Sequence, residues 1–299
     1  MSRRSTTSER RARTLDDIPV VTTQRIAATD PTASTDPLVE RNRRIWSAGD
    51  YDRIAAGFRR EAEAFVDRLA LTPELTVLDA ACGSGNLTIP AARAGARVTG
   101  FDLVPALLGE AFAWSLIDGL DIAFDQGTVE ALPYPDASFD VVMSMFGVMF
   151  AARPDRVVAE LTRVTRPGGR VALANWTPAG FTGRMLAIHV AHVPPPTGIP
   201  SPLQWGNPER IREWFDARDW TVKAAPRTLT FRYPGSPAET AELFRAAYGP
   251  TVRAMEALDA DRASHLAAEL AAHWTSHNRP RATGTEVDAE YLEVIAVRR

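Results

Sequence analysis

Apolar and polar residues follow two periods along the chain, that of a helix and that of a strand. Over residues 38–71 the apolar positions recur at helical spacing, which predicts two helices separated near Gly49. After Pro73, short apolar runs alternate with longer helical segments, a pattern typical of an α/β protein with a parallel sheet covered on both faces. The predicted strands are residues 76–81, 97–102, 122–127, 139–145, 170–176, 221–233 and 291–297.

The same pattern divides the chain into segments. Residues 1–37 are dominated by Ser, Thr, Arg and Asp, a composition that predicts a disordered arm, although a segment that binds a partner or covers the site is the alternative. Residues 38–72 are expected to form N-terminal helices over the site, and residues 73–299 the main domain. Within that domain, residues 238–278 predict a helical insertion that acts as a lid, as a homodimer interface or as ordinary core.

Composition narrows the range of partners. The chain has 299 residues and a formal net charge of −3, so no overall positive field favours nucleic acid or an anionic membrane. No apolar run approaches the ~20 residues of a membrane-spanning helix. A single cysteine excludes an intramolecular disulfide and leads us to expect a cytoplasmic protein. These features favour a small-molecule ligand and leave a homo-oligomer open.

The most informative run is VLDAACGSGNLT, residues 77–88, in which a buried strand leads through a glycine-rich turn into a helix. Gly83 and Gly85 leave room for a tight turn and for close approach of a ligand. The next predicted strand ends at Asp102, where a carboxylate can accept hydrogen bonds from both hydroxyls of a ribose. Ligands of open α/β sheets bind in this crevice, so the pattern predicts an adenosine-bearing ligand.

A nicotinamide dinucleotide is the rival ligand for such a turn. Its fingerprint needs a third glycine at the position that Thr88 occupies. Asp79 would also lie close to the pyrophosphate and repel it, whereas a carboxylate suits a ligand amine. A dehydrogenase is therefore disfavoured.

The run DAACGSGNLTIPAARAGARVTGFDLV resembles the first two motifs of class I S-adenosylmethionine-dependent methyltransferases. The similarity continues through EALPYPDASFDVVMSMFGVMF and RVTRPGGRVALANW, so it spans roughly residues 51–176. The resemblance implies a Rossmann-like, doubly wound sheet of seven strands, mostly parallel with an antiparallel last strand, together with N-terminal helices and a helical insertion. It also implies S-adenosylmethionine as cofactor, S-adenosylhomocysteine as product and no metal.

The resemblance assigns roles to individual residues. Asp79 would lie near the methionine amino group, Asp102 would hold the ribose, and Met145 would border the transferable methyl. Many relatives carry an aspartate where Thr128 stands, and a threonine hydroxyl accepts more weakly from the adenine amine. The cofactor-binding residues implied in this way are Tyr51, Asp79, Ala81, Gly83, Gly85, Asn86, Asp102, Leu103, Thr128, Val129 and Met145.

Methyl transfer from a sulfonium requires alignment of acceptor, methyl and sulfur and, for some acceptors, a general base. His189 and His192 lie three residues apart on a predicted helix and are the candidate catalytic bases, with solvent-exposed imidazoles as the alternative. Several mostly aromatic side chains are candidates for the acceptor side of the site: Phe146, Met149 and Phe150 for an apolar pocket or the core, Asn175, Trp176 and Phe181 for the mouth of the crevice, and Phe244, Tyr248 and Trp274 for the lid, the interface or the core. For Trp46 we favour the core.

The leading hypothesis is a methyltransferase that modifies carbon, oxygen or nitrogen of a small molecule, such as a quinone, a sterol or a secondary metabolite. One rival keeps the fold and cofactor but is a cyclase or isomerase in which the sulfonium is only a scaffold. A second rival is a nonenzymatic module that binds an adenosyl ligand. The sequence does not identify the acceptor, the methylated atom or the oligomeric state.

Overall fold

The computed structural model describes residues 26–28, 36–279 and 283–299. Most of the predicted arm, residues 1–25 and 29–35, lies outside the described residues. The described residues form one mixed sheet flanked by helices. Its strands are β1 (Ile26–Ala28), β2 (Thr76–Ala80), β3 (Arg97–Asp102), β4 (Ala123–Gln126), β5 (Phe139–Met145), β6 (Thr165–Trp176), β7 (Trp220–Tyr233) and β8 (Thr285–Arg298).

The strand order is β1-β4-β3-β2-β5-β6-β8-β7. Strands β1 to β6 pair in parallel, and β8 lies antiparallel between β6 and β7. The chain runs outward from β2 through β3 to β4 and then returns to β5 beside β2, which opens a crevice at the carboxyl ends of β2 and β5. The predicted Rossmann-like sheet with an antiparallel last strand is confirmed.

Two features of the sheet differ from the sequence pattern. Strand β1 lies inside the predicted arm and pairs with β4 as an eighth strand; three residues are too few to show a period. Strand β8 begins at Thr285, six residues before the predicted start. Residues 287–291 alternate between buried apolar and exposed acidic positions, which is the period of a strand with one solvent-facing side. Glu286 reaches Arg232 of β7 at 2.9 Å.

The helices are α1 (Pro37–Trp46), α2 (Tyr51–Ala55), α3 (Arg59–Arg68), α4 (Thr88–Arg93), α5 (Pro105–Asp118), α6 (Pro154–Val164), α7 (Phe181–His192), α8 (Pro208–Trp214), α9 (Pro237–Ala247), α10 (Gly249–Glu256) and α11 (Ala260–His277). Asp36 caps α1 by accepting from the N–H of Leu38 at 3.0 Å. Gly49, at φ +79°, breaks the N-terminal helices as predicted, and a short 3₁₀ turn, Ala56–Phe58, joins α2 to α3.

Helices α1, α2, α9 and α10 form one layer, which we call the cover. A Cβ on Gly49 would lie 2.3 Å from the carbonyl oxygen of Ala247, and a Cβ on Gly249 would lie 2.2 Å from that of Ile45. The N–H of Asp50 also donates to Ala247 at 2.9 Å. Two bare glycines thus allow the N-terminal helices and the helical insertion to meet backbone to backbone.

No helix within the described ranges combines the length and the apolar character that crossing a membrane requires.

Candidate active site

A cleft of about 940 Å³, which includes space open to solvent, lies at the carboxyl ends of β2, β3 and β5. Ten of the predicted cofactor residues line it, namely Tyr51, Asp79, Ala81, Gly83, Asn86, Asp102, Leu103, Thr128, Val129 and Met145. The sheet topology thus gathers side chains that are far apart in the sequence.

The glycine-rich turn between β2 and α4 forms one wall. Gly83 has φ +55° and borders the cleft, so the backbone is bare where a ligand approaches. Gly85 has φ +92° but does not line this cleft. A Cβ there would meet the Cβ of Ala111 at 3.2 Å, so Gly85 serves the packing of the turn against α5.

Asp102 ends β3 and is 6% exposed. Its Oδ2 accepts from the N–H of Gly83 at 2.8 Å, and its Oδ1 accepts from the N–H of Val104 at 2.9 Å. Burial raises the pKa of Asp102, and the backbone N–H groups partly offset that rise. Each carboxylate oxygen keeps further lone pairs, so the side chain can still accept hydrogen bonds from two ligand hydroxyls.

Asp79 lies at the floor of the cleft and is 1% exposed. Burial raises its pKa to about 7, and the negative charge of Asp102 contributes to that rise. The hydroxyl of Thr88 donates to Asp79 Oδ2 at 2.5 Å. Thr88 therefore braces the carboxylate from the position where a dinucleotide fingerprint has glycine. A cationic group that enters the cleft would favour the ionised form of Asp79.

Two residues with strained backbone lie at the ends of neighbouring strands. Ala81 after β2 has φ +60° and Phe146 after β5 has φ +56°, and both side chains line the cleft. Non-glycine residues in this region cost about 1–3 kcal/mol each and persist where the surroundings enforce them. In this backbone conformation the ring of Phe146 stacks on that of Trp176, with the ring centroids 3.5 Å apart.

At the other end of the cleft lie Leu103, Thr128 and Val129. The hydroxyl of Thr128 accepts from the N–H of Glu130 at 3.3 Å. Glu130 also lines the cleft, although the sequence did not single it out. Its carboxylate is held by Arg153 at 2.7 Å, so this end is polar but locally neutralised.

Helices α1 and α2 of the cover contribute side chains to the cleft. Tyr51 begins α2, and the neighbouring Asp52 accepts from the hydroxyl of Ser84 in the glycine-rich turn at 3.0 Å. Burial raises the pKa of the Tyr51 phenol and the charge of Asp102 raises it further, so the phenol stays a neutral donor. Trp46, which the sequence assigned to the core, lines the cleft as well.

A second cavity, of about 310 Å³ including space open to solvent, adjoins the cleft, and we call it the aromatic chamber. The side chains common to both cavities are Trp46, Tyr51, Phe58, Phe146 and Phe150. The chamber is further lined by Ile54, Trp176, Thr182, Met185, Phe231, Phe244 and Tyr248. None of these described lining residues is an acid, a histidine, a lysine or an arginine, so the walls are almost wholly apolar.

Five of the nine side chains that the sequence suggested for the acceptor side line the chamber. Phe146, Phe150, Trp176, Phe244 and Tyr248 line it. The other four candidates, Met149, Asn175, Phe181 and Trp274, are buried elsewhere. Phe58 and Phe231, which the sequence did not single out as acceptor residues, complete the walls.

The two candidate bases lie outside both cavities. His189 is buried, its Nδ1–H donates to the carbonyl of Met185 at 2.7 Å, and its Nε2 accepts from the hydroxyl of Thr251 at 2.7 Å. Burial lowers its pKa, so the ring is a neutral structural link between α7 and α10. Nε2 of His192 lies 3.3 Å from the carboxylate of Glu269. The helical spacing correctly places both histidines on one helix, α7, but it does not show which part of the protein their side chains face.

No cluster of three metal-ligating side chains occurs in the part of the chain that the structure describes.

Fold and cleft together define a Rossmann-like protein with a ligand site at the carboxyl ends of its parallel strands. Residues 78–173 match the family model described as a methyltransferase domain. An uncharacterized protein of Mycobacterium tuberculosis is 36% identical over 230 residues, which cover 76% of this chain and 84% of that protein. The demethylmenaquinone methyltransferase of Deinococcus radiodurans is 33% identical over 220 residues, which cover 68% of this chain and 88% of that enzyme.

Solved structures agree with the sheet topology. The YcgJ protein of Bacillus subtilis superposes with a TM-score of 0.56 at 17% identity, over 80% of this chain and 99% of that one. At that identity the likeness concerns the fold alone. The sequence matches go further: the chain belongs to the class I S-adenosylmethionine-dependent methyltransferase family.

Proposed function

We propose that the protein binds S-adenosylmethionine in the cleft and transfers its methyl group to a small molecule seated in the aromatic chamber. The observation that carries the proposal is the pairing of Asp102 with the bare turn at Gly83, 2.8 Å apart, in a cleft that also contains Asp79. Together these groups offer acceptors for a sugar diol and a buried carboxylate for an ammonium group. The residues present therefore fit the cofactor of the family.

When bound, the cofactor supplies a methyl group already activated by the positive charge of its sulfonium. The residues of the chain bind and orient. Asp102 accepts from ribose hydroxyls, Asp79 pairs with an amino group, and Leu103 and Val129 pack against a flat base. The five aromatic side chains shared by cleft and chamber exclude water from the point where the two cavities meet.

Proton removal from the acceptor receives little help from the chamber. Its described lining has no carboxylate or imidazole, and burial raises the pKa of both Tyr51 and Tyr248. The walls therefore contribute alignment and desolvation. The proposal accordingly excludes His189 and His192 from the chemical step.

Three further observations support a small acceptor. The chamber is lined almost wholly by apolar side chains, the net charge of −3 attracts neither nucleic acid nor anionic lipid, and the relative from Deinococcus is named for a quinone substrate.

Titration calorimetry of the full chain with S-adenosylmethionine and with S-adenosylhomocysteine tests the proposal. We expect saturable heat with both ligands and, with a panel of hydroxylated aromatic acceptors, release of S-adenosylhomocysteine. Absence of heat with either ligand would overturn cofactor binding. Conversion of an acceptor without release of S-adenosylhomocysteine would instead support a cyclase or isomerase, and binding without any conversion would support a nonenzymatic module.

A further inference from the structure

We propose that the aromatic chamber selects an uncharged, planar acceptor that forms one hydrogen bond with the hydroxyl of Thr182. This inference rests on the proposed methyl transfer and adds to it the class of acceptor and a residue that determines specificity. It is carried by three independent features of the chamber, namely the shape of its walls, an unpartnered hydroxyl and the absence of charge among the described lining residues.

The walls of the chamber are rings in fixed orientations. Phe146 and Trp176 stack with their planes 6° apart and present a flat surface. Phe231 lies 5.8 Å from Trp176, and Phe244 meets Phe231 edge to face at 6.3 Å. Aromatic rings interact best with other flat groups in offset-stacked or edge-to-face geometry. Such walls favour a planar guest over a branched aliphatic one.

Thr182 supplies an unpaired polar group in this surrounding. The residue is 2% exposed, lines the chamber, and its Oγ1 has no hydrogen-bond partner among the described residues. It is the second residue of α7, so the residue four positions earlier, Pro178, belongs to the preceding loop and does not accept from it as a helical carbonyl would. Buried hydroxyls are normally satisfied, so this one is expected to bond to a bound molecule.

The absence of charge restricts the guest further. Burying an ionised carboxylate or ammonium without a partner is strongly unfavourable, and the described chamber lining offers none. A neutral hydroxyl or carbonyl on a ring costs much less and finds its partner in Thr182.

The test measures binding of three naphthalene probes to the full chain loaded with S-adenosylhomocysteine. The probes are 2-naphthol, with one hydroxyl, 2-methylnaphthalene, with none, and 2-naphthoate, with a negative charge. The variants are Thr182→Val, which keeps the shape but removes the hydroxyl, and Thr182→Ser, which restores it. Probe fluorescence gives the affinities, and calorimetry with S-adenosylhomocysteine on each variant reports folding and the cofactor cleft.

We expect Thr182→Val to weaken 2-naphthol about fivefold to tenfold, Thr182→Ser to bind it like the parent chain, and 2-methylnaphthalene to be unaffected by either change. We expect 2-naphthoate to bind at least about tenfold more weakly than 2-naphthol. Equal affinity of the Val variant for 2-naphthol, or binding of 2-naphthoate as tight as that of 2-naphthol, would overturn the inference.

Different results would overturn the acceptor class and the proposed function. If S-adenosylhomocysteine binds but 2-naphthol does not, the acceptor class is overturned while the proposed function stands. If S-adenosylhomocysteine itself produces no heat, the proposed function fails first and the inference fails with it.

Discussion

The cofactor cleft and the aromatic chamber share five side chains, yet they are built from different material. The cleft is made largely at strand ends, where backbone N–H groups and two buried carboxylates, Asp79 and Asp102, are the polar groups available to a ligand. The chamber is made mostly of rings from the cover, from the segments that follow α2 and β5, and from β6 and β7, while α7 adds Thr182 and Met185. We propose that the first holds a ligand by a few directed bonds and the second by shape and exclusion of water. Single substitutions should therefore affect the two regions in different ways.

The largest effect is expected at the seam of the cover, in Gly49→Ala. The new Cβ would lie 2.3 Å from the carbonyl oxygen of Ala247 at a backbone φ of +79°, so strain and overpacking add. We expect a loss of about 2–4 kcal/mol in the free energy of unfolding, measured by chemical denaturation. Binding of 2-naphthol should weaken more than binding of S-adenosylhomocysteine, because the chamber depends on the cover.

Gly198→Ala is the matched control for that experiment. Gly198 also has a positive φ, +87°, but a Cβ there would meet nothing within 4 Å. Its cost should be limited to about 1 kcal/mol of backbone strain. Equal losses in the two variants would contradict the close contact at the seam.

Asp102→Asn should separate the two regions in the opposite direction. It removes the charge that accepts from Gly83 and that we assign to the ribose, so affinity for S-adenosylhomocysteine should fall about 10- to 100-fold in calorimetry. Asp125→Asn is the control, since Asp125 also lies on a strand of this sheet but bonds to the hydroxyl of Tyr134 outside the cleft. Unchanged affinity in Asp102→Asn would remove the sugar contact from the mechanism.

Asp79 should make cofactor binding depend on pH. Because its pKa is about 7, the carboxylate is mostly protonated at pH 6 and mostly ionised at pH 7.5. Affinity for S-adenosylhomocysteine, whose amino group is cationic there, should rise about eightfold over that interval. Calorimetry across the interval measures this rise, and Asp79→Asn should flatten it; an equally steep rise in the variant would contradict the assignment.

Stability should change in the other direction for the same residue. The folded chain holds the Asp79 proton up to about pH 7, whereas the unfolded chain releases it near 4. The native state therefore binds more protons over that window, and the free energy of unfolding contributed by this group falls as pH rises through it. Thermal unfolding of Asp79→Asn without ligand should show a smaller fall than the parent chain.

The smallest effect is expected for His192→Gln. His192 lies outside both cavities and faces the exposed Glu269, and ion pairs of this kind contribute little. Release of S-adenosylhomocysteine with an accepted substrate should stay within about twofold of the parent chain. A loss of tenfold or more would return the residue to the list of candidate bases.

The contrast between the two regions also explains what could be predicted from the sequence. The cleft was predictable because a contiguous run carries Asp79 and the glycines, and because parallel strands bring their carboxyl ends to one edge. Helical periodicity shows that residues such as Phe244 are buried but not which element they face. For the same reason the three-residue spacing of His189 and His192 predicts a shared helix face but not the cavity that this face would reach, and both rings lie outside the two cavities.

The seam between Gly49 and Ala247 has a consequence for turnover. Two stretches of chain separated by almost two hundred positions meet backbone to backbone here and share a hydrogen bond, so movement of one is coupled to movement of the other. An opening that widens the cleft on this side would therefore displace the N-terminal helices and the helical insertion together. Where product release requires such an opening, this movement would limit the turnover rate more than the methyl-transfer step does.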